Sequence, residues 1–320
     1  MDDVLGVKSG GLPRGSLVLI TDEVGASGGW LVAHLLRRAL AEAATGAERD
    51  ASTSADARGG VPRARAVCLV AAEQNVAHYA QALRKLGRNP QADLASGRLV
   101  ILDALSRPYP PRASHDGDGD AAAVDRRATP RDDHDSPARR LFRDIVRALG
   151  DHPDPDPDPE PSTSPDPSSS SSSADARRVV IFDNLAAAAD DPDDDAPHPD
   201  AARAVDALLA SCVALPDCAV VALAHADAAD DRADAPGGWL RAARVRADAL
   251  VAVASLPTGA AEDVHGVVRI THRTGRLMPP MTKSHDAHAN RSGRRVAARF
   301  ALSETGPSAR RAEWTTAGGG

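Results

Sequence analysis

The chain has 320 residues and a formal net charge of −7, with 38 Lys and Arg against 45 Asp and Glu, which excludes a globally basic nucleic-acid-binding protein. Aromatic residues make up only 2% of the sequence, so the core must be built from Val, Leu, Ile and Ala. Cys68, Cys212 and Cys218 lack the CxxC spacing of a metal site, and no segment resembles a signal peptide or a membrane span, so we expect a cytoplasmic or nuclear protein with buried thiols.

Several stretches consist almost entirely of Asp, Pro, Ser, Ala, Gly and Arg. Such stretches bury too little apolar surface to offset the entropy lost on ordering, so we expect them to be disordered. The residues between them suffice for one domain with one core, which is expected to span 1–303. The predicted insertions are 45–64, 106–137, 150–177, 186–199, 226–236 and 274–295, and the predicted disordered tail is 304–320.

The remaining sequence alternates between apolar and amphipathic segments, as strands and helices do in α/β proteins. The first apolar run follows Pro13 and Gly15, and Ser27 is expected to cap the helix after it. In chain order, the predicted elements are strand 16–22, helix 28–44, strand 66–72, helix 76–86, strand 98–103, helix 138–149, strand 178–183, helix 201–215, strand 218–225, a short helix or turn at 239–246, and strands 248–254, 266–273 and 295–302.

The order and composition of these elements predict the type of sheet. The first five strands alternate with helices, and their apolar runs are continuous, which is typical of strands covered on both faces. The last strands follow one another without a helix, so they are expected to pair antiparallel at one edge. The sequence therefore predicts a mostly parallel sheet wrapped by helices, with antiparallel edge strands and long disordered insertions.

The turn after the first strand is where a doubly wound sheet would bind a ligand. A nucleotide-binding turn there needs G-x-x-x-x-G-K-[ST], whose lysine reaches the outer phosphates. This turn is glycine-rich and opens a helix, but it carries two carboxylates, no Lys or Arg, and the bulky Trp30. We therefore expect no nucleotide cofactor and no metal here. The residues of this degenerate phosphate-loop position are Asp22, Glu23, Gly25, Ser27, Gly28 and Gly29.

Asp183 ends the apolar run VVIFD, the place of a magnesium-linked aspartate in nucleotide hydrolases. Apolar strands that end in Asp are common, and the phosphate-binding lysine is missing. We therefore expect Asp183 to have a structural role at the rim of the sheet. No glutamate stands in the sequence as an obvious activator of water, so no catalytic residue is predicted.

Three segments resemble Elongator complex protein 6: SLVLITDEVGASGGWLVAHLLRRAL, AVCLVAAEQNVAHYAQALRKLG and GRLVILDAL. The resemblance covers residues 5–105 closely and 178–273 loosely, and Trp30 stands where the family is expected to have Phe. The residues that carry the match are His34, His78, Tyr79, Lys85, Leu86, Gly87, Gly97, Leu99 and Val100.

This resemblance implies a RecA-like, P-loop NTPase-like fold that lacks the Walker A motif. In the family, Elongator subunits 4, 5 and 6 alternate in a six-membered ring that binds tRNA and joins subunits 1, 2 and 3. The whole complex begins the modification of the tRNA wobble uridine, with chemistry housed in another subunit. The chain is thus expected to be a non-catalytic ring subunit, and any ATPase activity would belong to the complex.

Two groups of arginines are candidates for contacts with tRNA phosphates, because they flank connections that face the channel in RecA-like rings. A solvated arginine surface is the plainer explanation in a chain this rich in Arg. The candidates are Arg241, Arg244, Arg246, Arg269 and Arg273. Two other functions stay open: a divergent ATPase of the RecA/KaiC-like class, and a RecA-like scaffold unrelated to tRNA.

Overall fold

The computed structural model describes residues 11–53, 66–106, 137–150, 176–188, 201–226, 238–256, 259, 264–273, 295–303 and 306–311. Most of the predicted insertions lie outside these residues. The elements are β1 (Leu17–Asp22), α1 (Gly29–Thr53), β2 (Ala66–Ala71), α2 (Val76–Lys85), α3 (Pro90–Ala95), β3 (Leu99–Asp103), α4 (Pro137–Ala148), β4 (Arg178–Phe182), a 3-10 helix (Leu185–Ala188), α5 (Ala201–Ala214), β5 (Cys218–His225), α6 (Trp239–Arg246), β6 (Ala249–Ala254), β7 (Gly266–His272), β8 (Arg295–Ser303) and β9 (Gly306–Arg311).

The strands form one nine-stranded sheet in the order β3-β2-β4-β5-β1-β6-β7-β8-β9. The pairs from β3 to β6 are parallel, and the pairs from β6 to β9 are antiparallel. The predicted architecture is therefore confirmed: this is a mostly parallel α/β sheet wrapped by helices, with antiparallel strands at one edge. The order places the carboxyl ends of β1 and β5 side by side near the middle of the sheet, with Asp22 opposite His225.

Helices cover both faces of this sheet, which explains why the central strands are apolar without alternation. On one face, Leu31, Leu36 and Leu40 of α1 pack with Ile20 and other strand side chains. The opposite face holds side chains of α4, α5 and α6 in a second cluster. No described helix has the length and apolar character that crossing a membrane requires.

The three cysteines lie in the second of these clusters, and all three are buried thiols. Burial raises the pKa of the Cys68 thiol to about 12, with a further contribution from Cys218. Burial likewise raises the pKa of Cys212. The thiols of Cys68 and Cys212 therefore stay protonated near neutral pH and behave as small core side chains.

Helix α3 is not predicted from the sequence, because local polar contacts rather than an apolar stripe hold it. Asn89 caps the helix by accepting a hydrogen bond from the backbone N–H of Ala92 at 3.3 Å. Asp93 is buried and accepts from the guanidinium of Arg88 at 2.7 Å and from that of Arg98 at 3.1 Å. A helix of six residues is too short to show a repeating apolar pattern in the sequence.

The structure corrects the boundaries of three predicted disordered segments. The tail predicted at 304–320 contains β9, which pairs with β8 from Ser303↔Gly306 to Ala298↔Arg311. Backbone pairing across a hairpin stabilises this strand, whose sequence has no apolar alternation. Helix α1 extends to Thr53, into the insertion predicted at 45–64, and the 3-10 helix enters the one predicted at 186–199.

Candidate functional site

The turn that follows β1 folds tightly on itself. The backbone N–H of Ala26 donates to the carbonyl of Glu23 at 3.0 Å, and the two residues form an isolated antiparallel bridge. Gly25 has a φ of +90°, which a glycine adopts without strain. The side chain of Val24 is 88% exposed at the tip. The turn is therefore closed by its own backbone contacts, with Val24 exposed to solvent at its tip.

The start of α1 is occupied by the protein's own side chains. Asp22 is buried, and its Oδ2 accepts a hydrogen bond from the backbone N–H of Gly28 at 2.6 Å. The N–H of Gly29 donates to Ser27 Oγ at 3.1 Å. Backbone N–H groups at a helix N-terminus are the donors that bind phosphate in nucleotide sites. Here the carboxylate of Asp22 binds the N–H that a phosphate would bind in a nucleotide site.

Close packing requires glycine at position 28. A Cβ there would lie 2.9 Å from Cδ1 of Leu223 and 3.2 Å from Cγ2 of Ile20. We expect Gly28→Ala to lower the free energy of unfolding by about 1–3 kcal/mol, because both neighbours are core side chains that must move. Urea unfolding followed by circular dichroism measures this loss.

Gly238→Ala is the matched control for Gly28→Ala. A Cβ at Gly238 meets no atom within 4 Å, so stability should change by less than about 0.5 kcal/mol. Equal effects of the two substitutions would contradict the packing assigned to Gly28.

His225, the last residue of β5, joins two carboxylates at this edge of the sheet. Its Nδ1 lies 2.6 Å from Oδ1 of Asp22, and its Nε2 lies 3.0 Å from Oε2 of Glu73. Asp22 ends β1, and Glu73 lies in the turn after β2. The imidazole thus connects side chains from β1, β5 and the β2 turn.

The protonation of His225 follows from these contacts. Burial alone lowers the pKa of the imidazole, but the hydrogen bonds and charges of Asp22 and Glu73 outweigh it, and the pKa is raised above its ordinary value. The ring is 28% exposed, so it exchanges its proton with solvent. The raised pKa means that His225 stays protonated between its two carboxylates up to a higher pH than an ordinary histidine does.

Asp183 stands directly after β4, and its carboxylate is saturated with hydrogen bonds. Oδ1 accepts from the backbone N–H of Ala72 at 2.6 Å, and Oδ2 accepts from the N–H of Gln74 at 3.1 Å. The N–H of Glu73 donates to both oxygens, at 3.1 and 3.2 Å. Tyr79 Oη donates to Oδ2 at 2.9 Å. In this arrangement Asp183 holds the turn between β2 and α2.

Tyr79 acts as a donor in this network because its hydroxyl keeps its proton. Burial, together with the charge of Asp183, raises the pKa of Tyr79 well above its usual range. Its neighbour His78 is exposed and contacts the Tyr79 ring edge-on, with the centroids 5.3 Å apart. The sequence pair His-Tyr marks this position, but its link to Asp183 appears only in the structure.

The carboxyl edge of the sheet is acidic. Asp22, Glu23, Glu73 and Asp183 all lie there, and His225 is the only cationic side chain that pairs with any of them in the described part of the chain. Carboxylates repel a polyanion, and among the residues that the structure describes no lysine or arginine is bonded to these four. This edge is therefore electrostatically unsuited to an isolated triphosphate.

Glu73 was not among the residues predicted for this edge. It lies directly after β2, and its carboxylate contacts His225. The sequence did not reveal it because Glu73 and His225 are 152 residues apart. The signal that could have found it is its position directly after a predicted strand.

The arginine candidates lie elsewhere. Arg246 of α6 makes a two-pronged ion pair with Asp206 of α5, at 2.8 and 2.9 Å. The guanidinium of Arg273 donates to the backbone carbonyl of Arg244, which brings the end of β7 to α6. Arg241 is exposed one turn earlier on α6. Four of the five candidates thus lie on or next to α6.

Most of this arginine group lies at the amino ends of the parallel strands, whereas the turn after β1 lies at their carboxyl ends. Arg273 donates its backbone N–H to the carbonyl of Asp248 at 2.8 Å, at the amino end of β6. Arg269 lies in the middle of β7 and is exposed, opposite Ala252. The acidic edge and the arginine group therefore form separate surfaces.

An open groove lies between α5 and α6, with a volume of about 620 Å³. It is lined by Asp206, Gly238, Arg241, Ala242, Val245 and Arg246. Its arginines belong to the tRNA-contact candidates, and one of them is already paired with Asp206.

Comparisons with known proteins give a structural likeness and no match at the level of sequence. No family model matches the chain, and no curated protein matches it. A crystal structure of a KaiC-like protein from the hyperthermophilic archaeon Pyrococcus horikoshii is similar, with a TM-score of 0.46 and 11% identity, over 97% of this chain and 94% of that one. The fold of the present chain is described by its own strand order and register.

Proposed function

We propose that this chain is a non-catalytic RecA-like subunit that works without a nucleotide of its own. The observation that carries the proposal is the 2.6 Å hydrogen bond from Gly28 N to the buried carboxylate of Asp22. A phosphate at the start of α1 would have to displace this carboxylate and then lie beside it. Glu23 and Glu73 add to the repulsion, and the turn offers no lysine.

The partners in this proposal follow from the sequence resemblance. We propose a heterohexameric ring with Elongator subunits 4 and 5, which joins subunits 1, 2 and 3 and binds tRNA for wobble-uridine modification. A RecA-like fold with an unused nucleotide edge suits a subunit that contributes surface and not chemistry. The arginines on and near α6 would then supply phosphate contacts, since they lie apart from the acidic edge.

The location of Glu73 favours a second candidate, a divergent ATPase. A glutamate at the carboxyl edge, with Asp183 nearby, is placed where it could activate water near a bound nucleotide. In the structure, however, both carboxylates have other partners: Glu73 contacts His225, and Asp183 binds backbone amides. The two candidates differ in whether the isolated chain binds and hydrolyses ATP.

Isothermal titration of the purified full chain with Mg-ATP separates these two candidates. We expect no binding at micromolar concentrations and no phosphate release above the buffer rate. Micromolar binding together with hydrolysis would overturn the non-catalytic assignment. A RecA-type ATPase measured in the same buffer serves as the positive control for ATP binding and hydrolysis.

Affinity purification of the tagged chain tests the assembly. We expect a complex containing two further RecA-like subunits, and a tRNA gel shift of that complex that weakens steeply with salt. Recovery of the subunits without a tRNA shift would favour a RecA-like scaffold unrelated to tRNA. ATPase activity of the complex alone would place turnover in the ring and leave the assignment of this subunit intact.

A further inference from the structure

The contacts of His225 combine three elements of the sheet edge in one titratable group. The residue lies at the end of β5, between Asp22 of β1 and Glu73 of the β2 turn. Each carboxylate can only accept hydrogen bonds, so each contact requires a proton on the facing ring nitrogen. Both contacts together therefore require the imidazolium form.

We propose that His225 is a pH-dependent clamp that holds Glu73 against the Asp22 end of β1 when protonated and releases Glu73 when it loses a proton. A neutral imidazole carries a single N–H. The contact to Asp22 is the shorter of the two, and the Asp22 side chain is only 3% exposed. The remaining proton therefore stays on Nδ1, and the lone pair of Nε2 faces the Glu73 carboxylate.

The Glu73 side chain is free to leave, because it is 32% exposed. Its backbone N–H stays bound to Asp183, so the turn itself remains in place. Release thus changes the charge and shape of the acidic edge without unfolding it. Asp22 keeps its hydrogen bond to Gly28 in both states.

The charged groups around His225 all favour its protonated form. Among the described residues, Asp22 faces it from β1 and Glu73 from the β2 turn, and both raise its pKa. Glu23 in the turn after β1 and Asp183 directly after β4 are the other charged groups described at this edge, and both are acidic. No described basic side chain is bonded to the ring or to its two partners.

The direction of the pH dependence follows from linkage. Because the folded-state pKa is raised, the clamp contributes its full stabilisation below the pKa of an unfolded histidine, about 6.5. That stabilisation is lost as pH rises through the higher folded-state value. The clamp is therefore closed in mildly acidic solution and opens as the solution becomes alkaline.

Histidine ring NMR on the full chain, titrated from about pH 5 to pH 9, tests the clamp directly. We expect the His225 midpoint to lie above that of an unperturbed histidine, and Glu73→Gln to lower it by roughly 0.5–1 pH unit. The resonance is assigned by its loss in His225→Gln. An unchanged midpoint in Glu73→Gln, or a wild-type midpoint at or below the ordinary value, would overturn the proposal.

Urea unfolding at pH 6 and pH 9 provides a second readout. The wild type should lose more stability over this interval than His225→Gln, while the exposed His78→Gln should follow the wild type. Should His225→Gln fail to fold, the Glu73→Gln titration still decides the question, since this change keeps the size of a partly exposed side chain. Neither measurement involves nucleotide or partners, so their outcome is separate from that of the proposed function.

Discussion

Asp183→Ala is expected to lower the free energy of unfolding by about 3–5 kcal/mol, enough to unfold much of a marginally stable domain. The substitution removes the acceptor for the N–H groups of Ala72, Glu73 and Gln74 and for the Tyr79 hydroxyl. Hydrogen bonds to a charged group contribute more than neutral ones, and the donors left behind are at least partly buried. Urea denaturation of the purified variants measures the loss.

Two companion variants show that the effect arises from these hydrogen bonds. Tyr79→Phe removes one donor and should cost about 1–2 kcal/mol, while Asp183→Asn keeps one acceptor oxygen and should fall between wild type and alanine. Asp144→Ala is the surface control, because Asp144 forms an exposed ion pair with Arg147 at 3.0 Å. It should change stability by less than about 1 kcal/mol.

The Asp183 series also distinguishes a structural aspartate from a magnesium ligand. A carboxylate kept for metal repels its acidic neighbours in the metal-free protein, so its removal should leave the stability unchanged or increase it. A stable, folded Asp183→Ala that has lost only nucleotide turnover would therefore favour the divergent ATPase. A strongly destabilised variant supports the role that the hydrogen bonds indicate.

The architecture could be predicted because it depends on patterns that neighbouring residues share. A continuous apolar run such as Leu17–Asp22 predicts a strand buried on both faces, and alternation with amphipathic helices predicts parallel pairing. The absence of helices after β6 predicts the antiparallel edge. These features are local or nearly local, and the structure confirms each of them.

The contacts of the candidate site could not be predicted, because they join distant parts of the chain. Asp22 and His225 are 203 residues apart, and Tyr79 and Asp183 are 104 apart. They meet because the sheet order places β5 beside β1 and β4 beside β2. The sequence identifies Asp22 and Asp183 as strand-end carboxylates, but their partners depend on which strands are neighbours.

Leu31→Asp is expected to abolish cooperative folding, with a loss of about 5 kcal/mol or more. Leu31 lies in the first turn of α1, is completely buried, and belongs to the core cluster between α1 and the sheet. A carboxylate there loses the apolar contacts of leucine and must also be desolvated without a partner. The expected result is a loss of the circular dichroism unfolding transition and aggregation on gel filtration.

Two variants separate the charge from other causes in the Leu31 experiment. Val24→Asp places the same carboxylate on a side chain that is 88% exposed, and should change stability by less than about 0.5 kcal/mol. Leu31→Ala removes only the apolar contacts and should cost about 2–5 kcal/mol. The amides of Gly28 and Gly29 lie at the start of α1, so their contacts depend on how this helix packs. A folded Leu31→Asp with a normal urea-unfolding midpoint would show that α1 does not pack against the sheet as described. It would also remove the basis for the contact of Asp22 with the start of α1.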